Sequence, residues 1–227
     1  LKALGRIHGA AEAKRAAQLA GEHFESFNLD LMYGLPGQTH EQALADIETA
    51  LSFSPSHLSC YQLTLEPNTR FAAFPPELPE GDICADMQES IEARLATAGF
   101  TNYETSAFAQ SGKQCKHNLN YWYFGDYLGI GAGAHSKLSN HETLWREARL
   151  RHPRAYVEQV AAGNAKSTKQ EISRADLPGE FMMNALRLND GVNARLFRER
   201  TGIPLSEIHQ LVLATRREGL LAESDEL

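Results

Sequence analysis

The first 65 residues alternate helix and strand signals across short turns, and this alternation limits the fold more than any other feature of the chain. Ala10 to Leu19 has helical apolar spacing, and Phe27-Asn-Leu-Asp-Leu-Met32 reads as a short strand buried on both faces. Gly34-Leu-Pro-Gly37 then marks a turn, because Pro36 presets φ and Gly37 accepts a positive one. Thr39 is placed to cap the next helix, with Gln42 completing a capping box and Ala43, Leu44, Ile47, Ala50 and Leu51 forming the buried stripe. Pro55 follows its end, and Leu58 to Leu65 is the next strand. Helix, strand, helix, strand is the unit of a parallel sheet, so the expected class is α/β.

Beyond residue 65 a proline-rich connection from Glu66 to Glu80 leads to a helix that Asp82 can cap and Gly99 can stop. Phe100 to Phe108 and Tyr127 to Ile130 read as strands. Arg146, Arg149, Arg151, His152 and Arg154 lie close together, as a solvated face or as a clamp for ligand carboxylates. Helices follow at Gly179–Leu188, Ala194–Arg200 and Leu205–Glu218, with a turn at Thr201-Gly-Ile-Pro204 and a strand start at Gly219-Leu-Leu-Ala. That order predicts a helical, winged-helix-like C-terminal domain. The expected division is 1–140, a basic connection 141–170, and 171–227.

With 42 % hydrophobic residues the chain can bury a sizeable core, and its net charge of −7 argues against nucleic-acid binding, which needs clustered Lys and Arg. It has no apolar run long enough to span a membrane and no signal-peptide pattern at its start, so the expected location is cytoplasmic. Cys60, Cys84 and Cys115 lack metal-loop spacing and read as buried thiols. Leu1 in place of Met, with Leu1-Lys-Ala-Leu-Gly5-Arg6 reading as the end of a helix entered from missing sequence, predicts a fragment of a longer protein.

Two stretches carry chemistry. His117-Asn-Leu-Asn-Tyr-Trp122, followed by Gly129-Ile-Gly-Ala-Gly-Ala-His135, sets an imidazole and two large aromatics beside a glycine-rich turn. His117 can offer a neutral imidazole to iron while Tyr121 and Trp122 offer apolar area to a flat ring, with Cys115 as a second ligand. Alternatively, the two aromatics are core and His117 bonds a backbone carbonyl. Asp30 lies in a strand that runs into the Gly34–Gly37 turn, where it can accept hydrogen bonds from a ribose or ammonium group or cap local amides. Arg6, taken alone, is an ordinary surface residue.

Asn28-Leu-Asp-Leu-Met-Tyr-Gly-Leu-Pro-Gly-Gln-Thr39 resembles the strand-and-turn signature of the radical S-adenosylmethionine (SAM) family of oxygen-independent coproporphyrinogen oxidases and the related HemW-type haem chaperones. Leu4-Gly-Arg-Ile-His8, Tyr61-Gln-Leu-Thr-Leu-Glu-Pro-Asn-Thr69, Tyr103-Glu-Thr-Ser106, His117 to Trp122, Gly129 to His135 and Phe181-Met-Met-Asn184 fit the HemW branch. The resemblance implies part of a TIM-type (partial β/α) barrel with a C-terminal helical domain. It implies SAM contacts for Arg6 and Asp30, and haem binding for His117, Asn118, Tyr121 and Trp122, with His117 on the iron. It also implies a 4Fe-4S cluster on a CxxxCxxC loop, which this sequence lacks, so the chain alone is expected to be inactive as a radical enzyme.

The resulting expectation is a HemW-like haem chaperone that passes haem to a haem-requiring protein, including a membrane-associated acceptor. The alternative is an oxidase that decarboxylates coproporphyrinogen III to protoporphyrinogen IX. Arg146, Arg149, Arg151 and Arg154 suit either tetrapyrrole. Open strand edges predict a homodimer, and a DNA-binding winged helix is disfavoured by charge.

Overall fold

The computed structural model describes residues 4–140 and 142–222. The chain divides into two compact units, Leu1–Cys115 and Lys116–Leu227. The first contains α1 (Ala10–His23), β1 (Asn28–Tyr33), α2 (His40–Leu51), β2 (His57–Gln62), α3 (Arg70–Ala73), α4 (Gly81–Thr97), β3 (Thr101–Glu104) and β4 (Ala107–Ala109). Its four-stranded sheet has the order β1-β2-β4-β3. β1 and β2 are parallel, joined through α2, and β4 is antiparallel to both β2 and β3.

The turn chemistry works as the sequence requires. Gly34 and Gly37 both sit at positive φ. Gln42 N–H donates to Thr39 Oγ1 at 3.3 Å while Thr39 N–H donates to Gln42 Oε1 at 3.0 Å, closing the capping box. Ala43, Ile47 and Ala50 of α2 meet Met87, Ile91 and Leu95 of α4 over Leu58, Cys60 and Phe108 of the sheet.

Three expectations for this unit change. β1 is not buried on both faces: Asn28 and Asp30 are exposed, while Leu29 and Leu31 pack against the core, an alternation that fits a strand with helices on one side. Phe100 to Phe108 is not one strand but the β3–β4 hairpin, with a register shift between Asn102 and Glu104. Glu80, not Asp82, is the N-cap of α4, and Asp82 instead lies in the first turn, where its charge suits the helix dipole.

The second unit contains α5 (Lys116–Trp122), β5 (His135–Ser139), β6 (Leu144–Arg149), α6 (Pro153–Ala161), β7 (Lys166–Glu171), α7 (Leu177–Ala185), α8 (Ala194–Thr201) and α9 (His209–Arg217). Its antiparallel sheet has the order β5-β6-β7. Phe124, Phe181 and Phe197 are fully buried and meet edge to face, with ring centroids 5.6 and 5.3 Å apart. Asn193 caps α8 and Gly202, at φ +70, ends it.

Here too the structure differs from expectation. Tyr127 to Ile130 contributes only an isolated bridge, Tyr127 with Lys137, because the following glycines bend the chain before β5 begins. The residues read as a basic connection form β6, α6 and β7, and β5 pairs with β6, so residues 116–140 belong with this sheet and the division falls before 140. The last helix is split into a 3-10 turn at Leu205–Glu207 and α9, since buried Ile208 leaves helical geometry. Gly219 to Ala222 is turn and bend rather than strand, with Gly219 at φ +73. No helix among the described residues is long and apolar enough to cross a membrane.

Candidate functional site

Residues paired in register across a sheet share a face, so the pairing places chemistry that spacing alone does not. Asn28 lies opposite His57 and Asp30 opposite Ser59; β4 extends these rows with Ala109 and Ala107, and Glu104 pairs with Ala107. Leu29, Leu31, Leu58, Cys60 and Phe108 face the other way, into the helices. The sheet therefore has one apolar face and one face carrying polar groups between small residues.

The polar groups are joined. Asn28 Nδ2 donates to Asp30 Oδ1 at 2.7 Å, Asn28 Oδ1 meets His57 Nδ1 at 2.7 Å, and Ser59 Oγ donates to Asn28 Oδ1 at 3.2 Å. His57 Nε2 lies 2.8 Å from the Tyr103 hydroxyl, which accepts from the Cys115 amide at 3.3 Å. Burial pushes the His57 imidazole below its ordinary value and outweighs the nearby Asp30 charge. Burial also pushes the Cys60 thiol up to about 12, which makes it inert. Asp30 and Arg6 line one cavity of about 510 Å³ together with Leu29, Leu31 and Met32. That volume is within the roughly 300–1,000 Å³ of small-molecule sites.

The second cluster is local to α5. The exposed His117 ring stands edge-on to Tyr121, one turn away, with centroids 4.8 Å apart, and Tyr121 contacts Tyr127 at 4.5 Å. Neither His117 nitrogen makes a hydrogen bond among the described residues, so the backbone-carbonyl alternative is not realised there. Asn118 and Trp122 are half-buried. The Arg187 guanidinium covers the Trp122 ring at 4.3 Å, and the indole Nε1 is buried without a hydrogen-bond partner. Tyr127 leads into Leu128 and Ile130, which are 61 % and 81 % exposed.

The segment after α5 is held by its own interactions. Gly125 N–H donates to Asn120 O at 2.7 Å and Phe124 N–H to Tyr121 O at 2.9 Å, a Schellman ending with Phe124 at φ +54. A left-handed phenylalanine costs about 1–2 kcal/mol, and burying its ring offsets that. Lys137, 3 % exposed, donates to Phe124 O at 3.1 Å and Asp126 Oδ1 at 3.0 Å and lies over the Phe124 ring. Burial lowers the Lys137 amine despite Asp126. Burial raises the Asp126 carboxyl, but hydrogen bonds from Ser139 and Lys137 outweigh this and hold it below the usual carboxylate range.

The structure thus groups Arg6 with Asp30, and His117 with Tyr121 and Trp122. Of the four arginines read as a clamp, Arg146 pairs with Glu180, Arg154 with Glu158 and Arg149 lies 4.0 Å from Glu147, while exposed Arg151 has no ion pair among the described residues. Sequence reading singles out none of His57, Asp126 and Lys137, and gives Tyr103 only as the start of the Tyr103–Ser106 block. Alternating polar residues in His57-Leu-Ser-Cys60 were the available signal for the first.

Comparison with known proteins shows what the chain is similar to. Residues 172–227 match the HemN C-terminal domain family. Heme chaperone HemW of Haemophilus influenzae is 46 % identical over 99 % of this chain and 58 % of its own length. HemW of Escherichia coli is 46 % identical over 98 % of this chain and 58 % of its own, and that of Bacillus subtilis 34 % identical over 99 % and 60 %. The chain therefore spans under two thirds of these relatives. Coproporphyrinogen III oxidase (HemN) from Escherichia coli, described as a radical SAM enzyme, shares the fold with a TM-score of 0.76 at 19 % identity, over 99 % of this chain and 56 % of that one. The chain is thus similar to heme chaperones named HemW along nearly its whole length, and its residues 172–227 match the HemN C-terminal domain family.

Proposed function

We propose that this chain is the haem-handling part of a HemW-like haem chaperone, which binds haem and delivers it to a haem-requiring acceptor protein, soluble or membrane-associated. The observation that carries the reading is the 46 % identity to proteins named heme chaperone HemW, sustained along nearly the whole chain. The likeness to the coproporphyrinogen oxidase, at 19 % identity, speaks for fold alone. On this reading the first unit is part of a TIM-type barrel, in support of which stands its β1-α2-β2 parallel unit, and residues 171–227 form the winged-helix-like module.

The fit of each implied group differs. For haem, His117 offers an exposed imidazole beside Tyr121, and Leu128 and Ile130 offer exposed apolar area. Bound there, haem supplies a transferable iron porphyrin, and the chain's residues hold it at a surface from which it can leave. For SAM, Arg6 and Asp30 share a cavity of suitable size, with Asp30 as the acceptor for ribose or ammonium. A 4Fe-4S cluster does not fit the described residues: Cys60 and Cys84 are buried, and no three His, Cys, Asp or Glu side chains group to hold a metal. No cluster-dependent step is assigned to them.

The test uses the full-length protein, loaded with haem and mixed with an apo-haem protein, alongside an assay of coproporphyrinogen III consumption. Transfer of haem without decarboxylation is expected. Decarboxylation without haem retention overturns the reading in favour of the oxidase.

A further inference from the structure

His57 is 4 % exposed, and neither the SAM reading nor the haem reading uses it. Both of its nitrogens are engaged, and the direction of each bond follows from the chemistry of its neighbours. A carboxylate only accepts, so the Asn28 amide turns its NH2 toward Asp30 and its oxygen toward His57 and Ser59. That oxygen only accepts, so His57 carries its proton on Nδ1. Nε2 then accepts from the Tyr103 hydroxyl, whose own oxygen accepts the Cys115 N–H. The bonds run in sequence from the Cys115 main chain to one oxygen of Asp30, and the second oxygen is left to a ligand.

We propose that His57 is a positioning residue for Asp30: through Asn28 it fixes the carboxylate rotamer presented to an adenosyl-type ligand, and through Tyr103 it anchors that setting to the main chain at Cys115. The proposal rests on the reading of Asp30 as a contact for such a ligand. Among the described residues Asn28 and Asp30 are both exposed, so packing does little to fix either side chain. The rotamer is therefore set by hydrogen bonds, and the buried, doubly bonded His57 is the rigid member of the set. Asn28 sits directly opposite it in register, which makes the contact independent of loop conformation.

The experiment measures S-adenosylhomocysteine affinity by calorimetry on the full-length, cluster-loaded protein. Asp30→Asn is the reference and is expected to weaken binding by about tenfold or more, the effect of losing a charge-assisted hydrogen bond. His57→Asn keeps an amide near the Nδ1 position and should stay within about threefold of the parent, since the donor to Asn28 survives. His57→Gln moves the amide toward Nε2 and should lose about tenfold. Melting curves of both variants report the packing cost, which they share, so packing does not produce a split between them. Equal affinities for the two variants overturn the positioning role while leaving Asp30 in place. An Asp30→Asn variant that binds like the parent removes the underlying reading instead. If neither His57 variant folds, Asn28→Ala at its exposed position tests the same link: about tenfold weaker binding supports it, and unchanged binding overturns it.

Discussion

Gly129→Ala should unfold the second unit far more readily than a glycine substitution in an open turn. A Cβ at Gly129 falls 2.1 Å from the His135 carbonyl oxygen and 2.9 Å from its nitrogen, and backbone atoms cannot rotate aside as a side chain can. The strand carrying His135 must move away, which breaks the paired bonds Tyr127 N–H to Lys137 O at 2.9 Å and Lys137 N–H to Tyr127 O at 3.1 Å, and the Gly129 N–H bond to Ser136 Oγ at 2.9 Å. At about 1 kcal/mol each, the loss is roughly 3 kcal/mol. Divided by a urea dependence of about 2 kcal/mol per M, this lowers the midpoint by about 1.5 M. Both tryptophans, Trp122 and Trp145, lie in this unit, so a urea titration followed by tryptophan fluorescence reports it alone. Gly131→Ala is the comparison: its φ of +113 strains an alanine, but nothing lies within 4 Å, and about 1–2 kcal/mol is expected. A Gly129→Ala midpoint within about 0.3 M of the parent refutes the close-approach argument.

Three further outcomes are expected. Asp126→Asn should destabilise the second unit by about 1–3 kcal/mol, less than a fully buried pair because Asp126 is 39 % exposed, whereas Lys137→Met should be near neutral; fluorescence-monitored urea unfolding compares them. Asp126 and Glu147 both titrate below their ordinary values of 3.8 and 4.5, Glu147 through the Lys166 hydrogen bond, so each adds stability above its unfolded value that is lost as pH falls through its folded one. The same unfolding titrations should therefore show stability falling below about pH 4.5 and a shallower fall in Glu147→Gln. Toward a thiol reagent at pH 8, half-buried Cys115 should react first, with Cys60 and Cys84 reacting only on unfolding; rapid labelling of Cys60 contradicts its burial.

The capping box at Thr39 and Gln42, the buried stripe of α2 and the Gly202 stop are written in local residue chemistry, and the fold follows it at those points. The β3–β4 hairpin is hidden in the sequence because its reversal at Thr105-Ser106 carries no glycine or proline to mark it. The strand at Tyr127 was overread for the converse reason: an apolar run has no stable edge partner when the glycines after it bend away. At the candidate sites, Arg6 and Asp30 line one cavity and His117 stands edge-on to Tyr121. The His57–Asn28 link depends on parallel register, which connects residues 29 positions apart in sequence, and Arg146, read as part of a ligand clamp, finds Glu180 of its own chain once β6 and α7 fold.

The central claim is that haem binds at the surface around α5 with His117 on the iron, and absorbance titration of the protein with haem, beside the His117→Ala variant, tests it most directly. The account predicts a saturable Soret shift in the parent that His117→Ala loses or weakens well beyond the effect of Cys115→Ala. A His117→Ala variant with the parent's spectrum and affinity contradicts it.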